Sequence, residues 1–234
     1  MLTFIQPFDS DDSFPALSRA EKEPNGLLAI GGDLSPSRLL TAYQQGIFPW
    51  FDEGQPILWW SPEPRMVLYP NEFHISKSLK KNIRKFDYHY SFDQAFRVVI
   101  NACAAPRKYS DNTWINKSMI EAYNKLHELG HAHSVEIWKS NKLVGGLYGL
   151  AIGKIFFGES MFSINTDASK SAFMALCAQL HNWGFHFIDC QLHSDHLQRL
   201  GAKEISREVF LNGLTQYCNI KVNHQWNIPL QPMK

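Results

Sequence analysis

Two apolar segments of the chain carry polar side chains where a buried strand is expected to end. The first, Phe156–Phe162, contains Glu159, and the second, Phe187–Gln191, contains Asp189 and Gln191. Burying such groups without partners costs roughly 2 to 7 kcal/mol for a neutral group and more for a charge. Carboxylate and amide groups beside apolar walls are therefore expected to be hydrogen-bonded to one another or to a ligand.

The segment from Ser169 to Trp183 between these strands has the spacing of an amphipathic helix. A helix in this position places both strand ends at one crevice, which is where ligands bind in α/β sheets. Two interpretations follow for the polar residues: a structural hydrogen-bond network that closes the strand ends, or an active site. The residue pattern alone leaves both open.

Four tryptophans form a second group, and they lie next to proline rather than inside periodic segments. Such side chains either hold two lobes together or stack on a planar ligand such as a nucleobase. Periodicity does not separate these interpretations. The four residues are Trp50, Trp59, Trp60 and Trp114.

A run of cations without an acidic residue predicts a basic helix. Helical spacing turns Leu79 and Ile83 inward and most of the cations outward. The face is either simply solvated or follows the phosphates of a nucleic acid. Its cations are Lys77, Lys80, Lys81, Arg84 and Lys85.

Composition limits the remaining function classes. With 234 residues, 44% of them hydrophobic, the chain can bury a substantial core, and a net charge of +1 makes any polyanion site regional. No apolar run of about twenty residues and no leader are present, so a cytoplasmic protein without membrane association is expected. Four cysteines without a close pair predict reduced thiols, and the histidine pairs have no familiar zinc spacing, so no metal is expected.

The pattern of elements predicts two lobes. Residues 1–62 are rich in glycine, proline and tryptophan and are expected to form a small, loop-rich lobe with one helix, capped by Ser35 and stopped by Gly46. Prolines near Ser61 to Arg65 mark the boundary. Residues 63–234 form the second, larger lobe.

The larger lobe is predicted to be an α+β domain with a mainly antiparallel sheet and flanking helices. Three helices precede a hairpin that turns at Ser140-Asn141, and a strand, a helix and a strand follow. This order is similar to that of the acetyltransferase (GNAT-like) fold. The predicted helices span Ile75–Lys85, Asp93–Cys103, Ser118–Leu129 and Ser169–Trp183, and the predicted strands span Ser134–Lys139, Lys142–Leu150, Lys154–Phe162 and Phe185–Cys190.

Several long motifs together closely resemble the leucyl/phenylalanyl-tRNA–protein transferase family. The resemblance covers residues from about 14 to 210, and the motifs are too unusual to reflect fold alone. They are EPNGLLAIGGDL from Glu23, GIFPW from Gly46, WWSPEPR from Trp59, GHAHSVE from Gly130, LVGGLYG from Leu143, FGESMFS from Phe157 and IDCQ from Ile188.

The resemblance implies transfer of leucine or phenylalanine, and also methionine, from aminoacyl-tRNA to the N-terminal α-amino group of proteins that begin with Arg or Lys. That transfer marks the acceptor for degradation by the N-end rule (N-degron) route. An aminoacyl ester is already activated, so no cofactor, metal or covalent enzyme intermediate is needed. The enzyme is expected to act as a monomer.

The resemblance also implies roles for individual residues. Gln191 would orient the attacking amine, Asp189 would polarise or hold Gln191, and Glu159 would position an amino group. Trp50 and Trp114 would sandwich the terminal adenine, and the basic run would contact tRNA. The matching residues for the amino-acid side-chain pocket are Leu147, Phe156, Phe173 and Leu176.

Two other functions fit parts of the pattern. A CoA-dependent N-acetyltransferase would suit the order of elements, but residues 165–170 lack the glycines that bind the CoA pyrophosphate. A non-catalytic RNA-binding adaptor would suit the tryptophans and the basic run, but would leave the three polar residues without a task. Selection of the acceptor terminus requires an acid, and Glu136 and Glu159 are the candidates.

Overall fold

The protein is described by a computed structural model, and the structure covers residues 2–106 and 114–233. The described residues form two β-sheets with helices packed against them, which confirms the α+β class. A four-stranded sheet lies N-terminal to Ser61, and an eight-stranded sheet begins at Arg65.

The small lobe contains a sheet that the sequence pattern conceals. Its strands pair in the order β1-β2-β4-β3. The sequence predicts no strand in this lobe, because strands of two to five residues next to glycine and proline show no alternating pattern. The strands are β1 (Thr3–Ile5), β2 (Leu27–Gly31), β3 (Phe48–Pro49) and β4 (Leu58–Trp60).

The predicted helix of this lobe is present as α1 (Pro36–Gln44). The Ser35 hydroxyl accepts a hydrogen bond from the main-chain N–H of Arg38 at 3.4 Å, as an N-cap should. Gly46 follows the helix with a φ of +78°, a conformation that favours glycine. Tyr43, on the last turn, is fully buried.

The large sheet has the order β11-β5-β10-β9-β8-β7-β6-β12. Every neighbouring pair is antiparallel except β9 and β10, which are parallel. Its strands are β5 (Arg65–Leu68), β6 (His89–Phe92), β7 (Ala132–Lys139), β8 (Lys142–Ile152), β9 (Ile155–Ser163), β10 (Phe187–Gln191), β11 (Lys203–Ile205) and β12 (Ile228–Pro232).

Helices cover both faces of this sheet and enclose two hydrophobic cores. The core on one face joins α1, α3, α4 and α7 to residues of the small lobe, and the core on the other face contains α2 and α5. The remaining helices are α2 (Lys77–Phe86), α3 (Phe96–Ala104), α4 (Lys117–Glu128), α5 (Ala168–Asn182), α6 (Asp195–Arg199) and α7 (Arg207–Tyr217).

Two connections follow directly from local sequence. The β7–β8 hairpin turns at Ser140 and Asn141, whose φ values of 49° and 61° match a two-residue hairpin turn. α5 is the crossover that parallel pairing of β9 with β10 requires. The predicted helix from Asp93 begins only at Phe96, because Asp93 has a φ of 53° and interrupts helical geometry.

Candidate functional site

The site lies where the two parallel strands of the large sheet separate. β9 and β10 pair from Ile155 opposite Phe187 to Phe157 opposite Asp189, and their register ends there. Beyond this point the strands diverge and leave an opening in the middle of the sheet. Of the three polar residues predicted from the sequence, Glu159 and Gln191 border this opening, and Asp189 is buried behind it.

A β-bulge places Glu159 at the opening. Tyr148 of β8 lies opposite Ser160, whereas Gly149 lies opposite Gly158, so Glu159 is an extra residue on β9. The strand continues to Ser163, one residue beyond the predicted Phe162, so Glu159 lies within the strand and not at its end. The bulge, rather than a strand end, therefore directs this carboxylate to the opening.

Gln191 is held by its main chain and by its side chain. Its φ of 58° lies in the left-handed region, at a register shift against β5. Its main-chain N–H donates to Asp189 Oδ1 at 3.0 Å, and its Nε2 donates to the carbonyl of Gly158 at 2.7 Å. The same Nε2 lies 3.4 Å from Glu159 Oε1. The side-chain oxygen of Gln191 is left as an acceptor.

Asp189 forms a bidentate ion pair that the sequence analysis did not identify. Arg65 Nε donates to Oδ1 at 2.8 Å and Nη2 donates to Oδ2 at 2.7 Å, with both side chains buried. Arg65 Nη1 also donates to the carbonyl of Gly46 at 3.2 Å. Asp189 thus holds Gln191 through the main chain rather than through the side-chain amide. The one sequence signal for Arg65 was its place in the WWSPEPR motif.

Glu159 is enclosed by neutral donors. Tyr43 Oη, from α1, donates to Oε1 at 2.6 Å, and Tyr123 Oη, from α4, donates to Oε2 at 2.9 Å. Burial raises the pKa of Glu159 to about 7, against the effect of these two hydrogen bonds. Both tyrosines were missed because they occupy the apolar faces of predicted helices.

Two cavities meet at this cluster and share Glu159, Cys190 and Gln191. The first, about 190 Å³ in volume, is aromatic and contains both Trp50 and Trp114. The second, about 130 Å³ in volume, is apolar and contains all four residues predicted for a side-chain pocket, namely Leu147, Phe156, Phe173 and Leu176.

The four tryptophans divide between the two interpretations. Trp59 is fully buried in the core and donates to the carbonyl of Gly31 at 2.8 Å. Trp50 is 40% exposed and packs against Trp60 with ring centroids 5.5 Å apart. Trp50 and Trp114 line the first cavity, whereas Trp59 and Trp60 line neither cavity.

The basic run forms α2, with Leu79 and Ile83 buried as predicted. Its five cations are exposed, and within residues 2–106 and 114–233 none of them forms an ion pair. Asn82 Nδ2 donates to Asp167 Oδ2 at 2.7 Å and fixes the helix beside the start of α5. These cations are Lys77, Lys80, Lys81, Arg84 and Lys85.

Glu136, a candidate for acceptor selection, lies elsewhere. Its carboxylate is buried and accepts hydrogen bonds from the hydroxyls of Ser91 and Ser134 and from the main-chain N–H of Ala95, at the start of α3. It borders neither cavity. Its oxygens stabilise the fold instead.

Neither a metal site nor a membrane-spanning helix is found within residues 2–106 and 114–233. No group of three or more His, Cys, Asp or Glu side chains there is arranged to hold a metal ion. No helix there has the length and apolarity needed to cross a membrane.

Comparison with known proteins gives consistent matches. The family model described as leucyl/phenylalanyl-tRNA protein transferase matches residues 67–215, and the model of its N-terminal domain matches residues 32–63. The curated leucyl/phenylalanyl-tRNA–protein transferase of Stutzerimonas stutzeri (strain A1501) is 54% identical over 97% of this chain and 99% of its own length. That of Nitrosospira multiformis (strain ATCC 25196 / NCIMB 11849 / C 71) is 58% identical over 90% of each chain.

The buried ion pair generates a stability prediction. Replacing Arg65 with Met leaves the Asp189 carboxylate buried without its partner, which typically lowers the free energy of unfolding by about 3 to 5 kcal/mol. Urea unfolding should show this loss. As a control, Lys203→Met removes the exposed ion pair with Glu72, where a loss of about 0 to 1 kcal/mol is expected. Similar losses for the two variants would contradict the importance of the buried pair.

Proposed function

The chain belongs to the leucyl/phenylalanyl-tRNA protein transferase family, and we propose that the opening between β9 and β10 is its transfer site. The enzyme transfers leucine or phenylalanine from aminoacyl-tRNA to the N-terminal amino group of a protein. The observation that carries the assignment of the site is the meeting of an aromatic and an apolar cavity at Glu159 and Gln191.

The aromatic cavity suits the terminal adenosine of the tRNA. Trp50 and Trp114 both line it, and indoles stack on any base through its π-face. The partial exposure of Trp50 leaves part of its surface available for such stacking. The ester at the end of the tRNA would then lie beside Gln191, which borders the same cavity.

The apolar cavity suits the side chain of the transferred amino acid. Phe156 and Leu176 are fixed in a buried core, and Phe173 packs edge-on against Phe73 with ring centroids 5.6 Å apart. Rigid walls favour Leu, Phe or Met, none of which branches at Cβ, over the β-branched Ile and Val. The cavity also adjoins Glu159, which can hold an amino group at the mouth of the pocket.

The arrangement of Gln191 fits orientation of the incoming amine. Because its Nε2 is committed to Gly158 and faces Glu159, its oxygen is the atom that can accept an N–H from the substrate. Asp189 fixes the main chain of Gln191. Positioning of this kind can supply roughly 7 to 11 kcal/mol of the barrier to attack on an ester.

Finer features of the function rest on the same resemblance. The acceptor would begin with Arg or Lys, and transfer would mark it for N-end rule degradation in the cytoplasm. The enzyme would work as a monomer without a cofactor. The large lobe, residues 63–234, would be GNAT-like, since an antiparallel sheet opens at one parallel pair spanned by a helix, and residues 1–62 would form the second domain.

A single assay tests the proposed function against the CoA-dependent alternative. Labelled Phe-tRNA or labelled acetyl-CoA is supplied with a peptide that begins with Arg, and label in the peptide is measured under single-turnover conditions. Transfer is expected from Phe-tRNA only, and Gln191→Ala should slow it at least tenfold. Acetylation of the peptide would contradict the proposed function, and full activity of the variant would contradict the role of Gln191.

Stacking predicts a defined loss for one indole. Trp114→Ala should weaken binding of a non-hydrolysable phenylalanyl-adenosine analogue by about 1 to 3 kcal/mol, measured by calorimetry. Trp59→Phe, which alters a buried indole outside both cavities, serves as the control and should retain the affinity if the protein folds. Unchanged affinity in Trp114→Ala would place the adenosine elsewhere.

The basic helix predicts salt-dependent tRNA binding. Each phosphate contact contributes a slope of roughly 0.7 to 0.9 in a plot of log affinity against log salt concentration. Replacing Lys80, Lys81 and Arg84 with Ala should therefore make the slope shallower by about 2 to 3. Binding is measured by titration of labelled tRNA at several salt concentrations.

The matched control removes the same net charge elsewhere. Lys142, Lys203 and Lys221 are also exposed, and they lie outside α2. Their replacement with Ala should leave the slope close to that of the wild type. Equal slopes for both triple variants would mean that the cations of α2 are merely solvated.

A further inference from the structure

Two buried phenols and a half-buried carboxylate are in mutual contact at the opening. The hydroxyls of Tyr43 and Tyr123 contact each other, and each also donates to one oxygen of Glu159. Both tyrosine side chains are fully buried. The cluster joins three separate elements, since the residues lie on α1, α4 and β9.

The number of protons in this cluster depends on the state of Glu159. Three oxygen-to-oxygen contacts require three protons, and the two phenols supply two of them. A protonated Glu159 supplies the third only when one phenol turns its hydrogen from the carboxylate to the other phenol, so the ionised form is the one that keeps both phenols as its donors. When Glu159 is ionised, one contact has no proton between its oxygens, whichever way the hydroxyls rotate. The geometry thus accommodates gain and loss of one proton.

The surroundings of the cluster make Glu159 the group that exchanges this proton. Burial and the neighbouring Glu159 raise the pKa of Tyr43 and Tyr123 well above the usual range, so both remain donors. Burial likewise raises the pKa of the Cys190 thiol, which borders both cavities.

The other polar groups near the carboxylate form separate contacts. Arg65 and Asp189 neutralise each other in their own ion pair, and Gln191 Nε2 faces Glu159 as an amide. From β8, Tyr148 packs edge-on against Tyr123 at 5.6 Å, and its hydroxyl has no hydrogen-bond partner among the described residues.

We propose that Tyr43 and Tyr123 are positioning residues that, together with Glu159, hold the mobile proton of the transfer reaction. This inference rests on the proposed function. The amine nitrogen of the acceptor attacks the ester carbonyl carbon with its lone pair and forms the C–N bond, while one N–H proton passes to the Glu159 carboxylate. The bond from that carbon to the ribose oxygen breaks, and the ribose oxygen takes the proton from Glu159. An amine and an ester become an amide and an alcohol, and Glu159 returns to its ionised state.

The division of labour with Gln191 follows from their chemistry. A neutral amide is too weak a base to retain a proton from an amine, so Gln191 orients the nucleophile through its oxygen. A carboxyl group that ionises near neutral pH can both accept and return the proton.

The test compares pH profiles of single-turnover transfer. The wild type should lose activity on the acidic side with an apparent pKa near 7, because only ionised Glu159 accepts the proton. Tyr43→Phe and Tyr123→Phe each remove a donor that favours the ionised carboxylate. The acidic limb of the pH–rate profile, where activity falls, should therefore move to higher pH. A shift of one pH unit lowers the rate at pH 6 about tenfold, and activity should recover at higher pH.

A matched control is built into the same region. Tyr148→Phe removes a buried hydroxyl that makes no hydrogen bond to Glu159. This variant should keep the position of the acidic limb. A limb that moves equally in all three tyrosine variants would overturn the proposal, since the effect would then come from general loosening of the core.

A second measurement does not depend on activity. Glu159 in the native protein binds its proton up to about pH 7, whereas the unfolded chain releases it near 4.5. The resulting stability is fully present below the unfolded pKa and is lost as the pH rises through 7. Urea unfolding between pH 4 and 9 should show this fall in the wild type and not in Glu159→Gln, and Tyr43→Phe should extend it to higher pH.

The two measurements separate failure of the inference from failure of the proposed function. If the wild type transfers phenylalanine but Tyr43→Phe and Tyr123→Phe leave both profiles unmoved, the proton assignment is wrong. If the wild type transfers nothing while the stability profile behaves as described, the cluster exists but the proposed function fails.

Discussion

The buried ion pair between Arg65 and Asp189 is the constraint on which the rest of the site depends. It brings together β5 and β10, and through the carbonyl of Gly46 it reaches the turn after α1 in the small lobe. Burying two charges is costly, and two short parallel hydrogen bonds offset that cost. The guanidinium also lies over the rings of Phe48 and Phe210, at 4.9 and 4.6 Å from their centroids. A pair held this rigidly gives Gln191 a fixed main-chain anchor.

The opening itself arises from a topological irregularity. An antiparallel sheet closes all its hydrogen bonds between neighbours, but β9 and β10 are parallel and pair over only three positions. Their outer neighbours, β8 and β5, follow each strand through a register shift and satisfy its other edge. Because each strand remains paired on its far side, the two can separate without leaving long stretches of backbone unsatisfied. The gap is therefore a stable part of the sheet.

Sequence reasoning located the parts that depend on local pattern. The Ser140-Asn141 turn predicted the β7–β8 hairpin, and strand, helix and strand order brought Glu159 near Asp189 and Gln191. It missed partners that are distant along the chain. Arg65 is 124 residues from Asp189, and Tyr43 is 116 residues from Glu159. Neither contact leaves a periodic signal, because each is formed by packing between lobes or between strands that are not consecutive.

The two carboxylates of the site have different hydrogen-bond partners, and this difference explains their separate roles. Asp189 is paired with the Arg65 guanidinium through two parallel hydrogen bonds, which fix its position. Glu159, only one strand away, has neutral phenols as its donors and is half-buried where the two cavities meet. An ion-paired carboxylate suits a structural role, whereas a carboxyl group whose pKa is raised to about 7 suits an acid–base role. Because the Arg65 guanidinium is paired with Asp189, Glu159 can change its own charge as an amine approaches.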